Sequence, residues 1–144
     1  MAVVAAAALA AAAFLAGDAF GGRHPRTLVV RPTVPVLPGA RVNVYGDSLV
    51  SQATTYLTSV GTVFGLMVKV ESFSGTAPCD FLPNLHKDLS KQAPDVVVWA
   101  FSGNSIGTCM IGPNHKPLAG GAIISKYRTD TLTATHETEA AGAR

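Results

Sequence analysis

The feature that most constrains the fold is a regular alternation of short apolar runs with segments of helical period, from residue 41 to residue 141. The apolar runs predict strands at 42–45, 66–70 and 95–101, and the periodic segments predict helices at 49–64, 79–92 and 121–141. Strands that alternate with helices indicate a parallel sheet with helical crossovers. The expected fold class is therefore α/β, and the run DVVVWAF, apolar on both faces, is typical of a central parallel strand.

The N-terminal segment is expected to direct export or to anchor the chain. Residues 2–16 are apolar and uncharged, too few for the roughly 20 residues of a spanning helix but suited to a signal peptide. Against this, no basic residue precedes the run, while Arg23 and Arg26 follow it. An Ala-rich helix packed on the domain is the alternative. We predict a signal peptide or membrane anchor over residues 1–19, with a secreted or cell-envelope location and membrane association through this segment in the anchored case.

Residues 20–40 hold four prolines and three glycines without helical period, which predicts an extended linker before a domain at 41–144. The net charge is only +2, and no basic stripe with interleaved aromatic residues is present. Nucleic acid is therefore not an expected partner. No cluster of metal-ligating residues occurs in the sequence, so no metal and no organic cofactor are expected.

Candidate functional residues lie where the three predicted strands end. The segments are YGDS at 45–48, SFSG at 72–75 and FSGN at 101–104, and each has glycine beside a small polar residue. Gly-Asp-Ser alone is equally typical of a plain turn. In parallel sheets, however, ligands bind at the carboxyl ends of the strands, where all three segments converge. Their repetition favours a single site over three unrelated turns.

Acyl transfer is the chemistry that this combination favours. A serine at a strand-to-helix turn is exposed, and the helix N-terminus behind it favours developing negative charge. We expect Ser48 to be the nucleophile. The backbone N–H groups of Ser48 and Gly75 and the side-chain amide of Asn104 are the predicted oxyanion-hole donors.

These segments resemble the blocks of the SGNH (GDSL-type) hydrolase family. Tyr45-Gly46-Asp47-Ser48-Leu49 is similar to the first block, Ser74-Gly75 to the second and Ser102-Gly103-Asn104 to the third. The third block departs from the common Gly-x-Asn-Asp form, since Ser105 replaces the aspartate. The resemblance implies a flavodoxin-like three-layer α/β/α fold and hydrolysis of esters, with a small-molecule or carbohydrate ester as substrate.

The chain has two cysteines, Cys79 and Cys109. An even count in an exported chain makes one disulfide the first expectation, with two buried free thiols as the alternative. The segments GTAPCD and SGNSIGTCM are similar to a bacterial branch of the family in which a cysteine follows each of these two blocks. That resemblance implies a bond between the two cysteines across the site.

The family's fourth block, Asp-x-x-His, supplies the general base, and no aspartate of this chain has a histidine three residues later. Of the four histidines, His115 lies in the loop after the third block and is the candidate substitute base. His24 lies in the linker, and His86 and His136 are expected on solvated helix faces.

The sequence stops where another strand is expected, and a sheet of three parallel strands leaves an apolar edge unpaired. We therefore expect the fold to be incomplete at the C-terminus and the activity of this chain to be impaired. Two other functions stay open: an acyltransferase domain attached to a membrane unit, and a non-catalytic carbohydrate-binding relic.

Overall fold

Three parallel strands form one sheet in the computed structural model, which describes residues 37–144. The order is β2-β1-β3, with β1 at Arg41–Gly46, β2 at Met67–Ser72 and β3 at Val96–Ala100. Helix α1 (Ser48–Val63) follows β1, α2 (Pro78–Gln92) follows β2, and α3 (Gly121–Ala140) comes after a short 3₁₀ helix at Thr108–Met110. The predicted α/β fold with a parallel sheet is confirmed. The predicted signal or anchor segment and residues 20–36 of the linker lie outside the described residues.

The helices cover both faces of the sheet. On one face Val68 of β2 lies against Gly61 of α1 so closely that no side chain fits at Gly61. On the other face Tyr45 of β1 packs in a core with α2 and α3, through residues that include Leu85 and Ala134. The result is a three-layer α/β/α arrangement. Because β2 and β3 lie on opposite sides of β1, the order of the strands reverses at β1, the position at which such sheets bind ligands.

The core on the α2 and α3 face is aromatic. Neighbouring ring centroids lie 5.1–6.2 Å apart among Tyr45, Phe81, Trp99 and Phe101. Tilted aromatic pairs at this spacing contribute about 0.5–1.5 kcal/mol each beyond their buried area. The cluster fixes β1 against β3 close to their carboxyl ends.

Helix α1 turns Val50 and Gly61 toward the sheet and leaves Leu49, Tyr56 and Phe64 exposed. The reason lies in Gly46: a Cβ there would overlap the side chain of Val50 and the carbonyl oxygen of Ala100. Val50 thus packs directly on the end of β1, which sets the rotation of the whole helix.

Helix α2 contains Pro83 and continues through it. Pro83 is the sixth residue of the helix, so its missing N–H removes only one hydrogen bond, to the carbonyl of Cys79 near the start. Strand β3 is not central in the described sheet, because it pairs with β1 alone.

The free edge of β3 carries one further contact. The N–H of Arg144 donates to the carbonyl of Asp95 at 3.2 Å, and the N–H of Val97 donates to the carbonyl of Arg144 at 2.7 Å. This pair of bonds follows the parallel ladder pattern. Within residues 37–144, no helix combines the length and apolarity needed to cross a membrane.

Candidate active site

The turn from β1 to α1 is held by Asp47. Its side chain caps α1, since Oδ1 accepts a hydrogen bond from the N–H of Leu49 at 3.1 Å. An aspartate at this position satisfies one of the N–H groups that the first turn of a helix leaves without a partner. Ser48 is therefore the first residue of α1, half-buried at the carboxyl end of the central strand.

The second oxygen of Asp47 binds the segment after β3. Oδ2 accepts hydrogen bonds from the N–H and the hydroxyl of Ser102, both at 2.6 Å, and from Nδ2 of Asn104 at 3.0 Å. Asp47 is fully buried, and burial acts to raise its pKa. The hydrogen bonds from Ser102 and Leu49 outweigh burial and hold the pKa of Asp47 below its ordinary value. An ionised carboxylate therefore joins the ends of β1 and β3.

The amide of Asn104 also contacts the segment after β2. Its Nδ2 donates to the carbonyl of Thr76, the neighbour of Gly75, at 3.2 Å. Both N–H bonds of this amide thus have protein acceptors, one following β1 and one following β2. The side chain of Asn104 therefore connects the segments that follow all three strands.

Helix α3 contributes a contact to the same loop. The hydroxyl of Tyr127 donates to the backbone carbonyl of Asn104 at 2.8 Å. Burial, followed by the nearby negative charge of Asp47, raises the pKa of Tyr127. The phenol therefore stays protonated and keeps its role as a donor to the loop.

Gly75 has a backbone conformation that favours glycine. Its φ is +81°, and a Cβ there would lie 3.0 Å from Cδ1 of Ile106. Within residues 37–144, the N–H groups of Gly75 and Ser48 donate no hydrogen bond. Two open backbone donors therefore belong to the segments that the Asn104 amide connects. Open donors beside a helix N-terminus suit a developing negative charge.

Histidine is the part of the predicted site that the structure does not bring to Ser48. His115 is exposed at the tip of the turn over residues 112–116, with φ at +59°. His86 faces Glu137 of α3 at 3.7 Å, and His136 is exposed on α3. His24 lies outside the described residues. No hydrogen bond links a histidine to Ser48 anywhere in residues 37–144.

The predicted disulfide between Cys79 and Cys109 is present. It connects the first turn of α2, just after the second block, to the 3₁₀ helix that follows the third block. Asp80 lies close to both sulfur atoms. Because the sulfurs are bonded to each other, they offer no thiolate, and this group of three side chains is not suited to hold a metal.

Sequence reasoning did not predict that Asp47 joins the ends of β1 and β3 through hydrogen bonds. The cap itself has a visible signal, since an aspartate directly before a helical period is a typical N-cap. The bonds to Ser102 and Asn104 have no local signal, because these partners lie 55 and 57 residues away in the chain. The contribution of Tyr127 was missed for the same reason.

A comparison with known proteins gives a distant similarity to a solved structure. No protein-family model matches this chain, and no curated protein matches it. Among solved structures, a putative acylhydrolase from Bacteroides fragilis is similar over 71% of this chain, with 17% sequence identity and a TM-score of 0.44. The chain spans about half of that protein's length, 48%. A similarity this distant supports no conclusion about this chain.

Proposed function

We propose that this domain is a serine ester hydrolase of the SGNH type, with Ser48 as the nucleophile. The N–H groups of Ser48 and Gly75 and the side-chain amide of Asn104 form its oxyanion hole. The observation that carries the proposal is the position of the Asn104 amide, which bonds the segments next to both Ser48 and Gly75. The substrate is a small-molecule or carbohydrate ester.

In the proposed reaction, Oγ of Ser48 attacks the ester carbonyl carbon, and the carbonyl oxygen becomes an oxyanion. Ser48 and Gly75 supply open N–H groups. Asn104 exchanges the Thr76 carbonyl, the longer of its two bonds, for the oxyanion. This exchange is favourable because hydrogen bonds to an ionised acceptor are about twice as strong as neutral ones. The alcohol leaves, and water then releases the acyl group from Ser48.

Removal of the hydroxyl proton from Ser48 is the slow step of the proposed reaction. Since no described histidine bonds to Ser48, its proton passes to water or to a base that reaches the site only transiently, with His115 as the candidate. Loss of the base from a serine triad costs orders of magnitude in rate, while the oxyanion hole retains catalysis above background. We therefore expect slow turnover by this chain. The same observation favours a second candidate function, a carbohydrate-binding relic that keeps the crevice without the chemistry.

A fluorophosphonate probe followed by intact-mass analysis separates the two functions. The hydrolase proposal predicts a single adduct on the folded chain and its loss in Ser48→Ala. Ser59→Ala is the matched control, because Ser59 is an exposed serine of the same helix whose hydroxyl bonds the Thr55 carbonyl at 2.8 Å. Its labelling should equal that of the parent chain. A folded chain that acquires no adduct, or an adduct that persists in Ser48→Ala, contradicts the proposal.

A further inference from the structure

The amino-terminal edge of the sheet is the end of the domain to which residues 1–36 are joined, and it lies opposite the candidate active site. The described chain begins with a turn at residues 37–40, which bonds the segment that connects α1 to β2. The N–H of Gly39 donates to the carbonyl of Gly65 at 2.7 Å, and the N–H of Met67 donates to the carbonyl of Ala40 at 2.9 Å. The turn, the end of α1 and the start of β2 therefore form one continuous surface.

Four large apolar side chains on this surface project into solvent, and we call them the entry patch. They are Leu37 in the turn, Val63 and Phe64 at the end of α1, and Met67 at the start of β2, each at least 41% exposed. Exposed apolar groups gathered on one surface are typical of a binding site for a membrane or for another protein. The entry patch therefore indicates a partner that offers apolar surface.

Basic side chains lie beside the entry patch. Arg41, Lys69 and Lys91 line a hollow of about 420 Å³, and Met67 of the entry patch lines the same hollow. Lysine and arginine cover apolar surface with their hydrocarbon stems while their charged ends reach toward polar or anionic groups. Apolar and basic groups therefore meet at this end of the domain.

The unpaired charge of this end is positive. Carboxylates of the domain already pair with two of the basic groups, in the pairs Arg41–Asp95, Lys69–Asp88 and Lys69–Glu71. Lys91 is exposed and has no ion pair among residues 37–144. Arg23, Arg26 and Arg31 precede the turn, and no acidic residue lies between positions 19 and 36. The basic residues of this end and of the segment joined to it therefore outnumber the carboxylates six to three.

We propose that this surface binds an anionic lipid bilayer, with the entry patch among the headgroups and Lys91 at the level of the phosphates. Apolar groups beside unpaired basic charge are stabilised at this boundary, because the hydrocarbon leaves water while the cation meets anionic headgroups. The parallel strands then point away from the bilayer, so Ser48 at the carboxyl end of β1 faces solution. The inference does not depend on any reaction at Ser48.

Co-sedimentation of the full chain with vesicles of equal parts phosphatidylcholine and phosphatidylglycerol tests the charge. Lys91→Gln should weaken binding about fivefold, the effect of one basic side chain near an anionic surface. Lys116→Gln is the matched control and should leave the affinity unchanged, because Lys116 is an exposed lysine in the loop after β3, without an ion pair among residues 37–144. Both variants lose the same charge and keep residues 1–36, so a difference between them cannot come from the N-terminal segment.

A second pair of variants tests the entry patch with the same vesicles. Leu37→Ser/Val63→Ser removes two exposed apolar side chains from the patch and should weaken binding at least about tenfold, because less hydrocarbon leaves water. Ile124→Ser/Leu132→Ser makes a similar change at two exposed positions of α3 and should bind as the parent chain does.

Acetylation of the lysines by an N-hydroxysuccinimide ester, followed by mass spectrometry, locates the contact on the full chain. Bound vesicles should protect Lys91 from acetylation and leave Lys116 as reactive as it is without lipid. No binding to the anionic vesicles, equal affinities of Lys91→Gln and Lys116→Gln, or equal affinities of the two double variants would overturn the inference. Protection of Lys116 in place of Lys91 would also overturn it, because the other end of the domain would then face the bilayer.

Discussion

Asp47→Asn is expected to lower the free energy of unfolding by about 2–3 kcal/mol and to abolish fluorophosphonate labelling of Ser48. The asparagine keeps an oxygen for the N–H of Leu49, so the cap of α1 survives. Its amide NH₂ replaces Oδ2, and it then faces the donors of Ser102 and Asn104 instead of accepting from them. A buried donor without an acceptor costs about 1–3 kcal/mol, and the N–H of Ser102 accounts for most of this loss, because the Ser102 hydroxyl can rotate and Asn104 keeps its bond to the Thr76 carbonyl. Urea denaturation followed by circular dichroism measures the change.

Two controls separate the loss of the hydrogen bonds to Oδ2 of Asp47 from the loss of the helix cap and from the loss of a negative charge. Asp47→Ala removes the cap as well and should cost about 1 kcal/mol more than Asp47→Asn. Asp95→Asn alters an exposed carboxylate that bonds the N–H of Arg41, and should have a much smaller effect. If Asp47→Asn and Asp95→Asn denature at the same urea concentration, the Oδ2 bonds do not hold the site together.

Acid titration provides an independent check on Asp47. Its pKa in the folded chain is below the ordinary value, about 3.9 for an unfolded aspartate. The stability that its ionised form contributes is therefore complete above about pH 4 and is lost as the pH falls toward the folded-state pKa. Asp47→Asn should be less sensitive to acid over this range, although Asp88 and Asp95 have pKa shifts in the same direction and retain part of the slope. If the stability of Asp47→Asn and that of the parent chain fall equally as the pH is lowered, the ionised form of Asp47 does not stabilise the fold.

Loss of the bond between Cys79 and Cys109 is expected to have the largest effect on stability. The two residues are 30 apart in the chain, and closing a loop of this size stabilises a fold by about 3–4 kcal/mol in the chain-entropy account. The bond also ties α2 to the segment after Asn104, so its loss should slow labelling of Ser48. Urea denaturation with and without reductant measures the first effect, and probe kinetics measure the second.

The Cys79→Ala/Cys109→Ala double variant is the matched control for the reductant. The sequence contains no other cysteine, so the reductant should shift the parent chain toward the variant and leave the variant itself unchanged. An unchanged urea midpoint in the reduced parent would contradict a stabilising role for the disulfide.

Much of the fold could be predicted because its signals are local. Strand and helix periods identified every strand and long helix of the described region to within a few residues. The rotation of α1 could not be predicted, because it depends on how closely Val50 approaches Gly46 and the carbonyl of Ala100. A helical period indicates which side of a helix is apolar. Which residues at the edges of that side are buried depends on the element that packs against the helix.

The local features of the candidate site could be predicted as well, but its long-range contacts could not. Glycine beside a small polar residue identified each strand end, and the parallel sheet brings those ends to one edge. No local pattern indicates that Asp47, rather than Ser48, is the side chain that holds these segments together by hydrogen bonds. The hydrogen-bond partners of Asp47 are distant in the chain. Its negative charge is stabilised by these hydrogen bonds and not by a basic residue, so the pattern of charges in the sequence does not reveal it.

A crystal structure of the fluorophosphonate-treated chain would test the proposed oxyanion hole directly, because the phosphonyl oxygen occupies the position of an oxyanion. We expect phosphorus bonded to Oγ of Ser48, with that oxygen within hydrogen-bonding distance of the N–H groups of Ser48 and Gly75 and of Nδ2 of Asn104. We also expect the bond from Asn104 to the Thr76 carbonyl to be lengthened or broken. A phosphonyl oxygen that faces solvent, with Asn104 still bonded to Thr76, would contradict the proposed oxyanion hole.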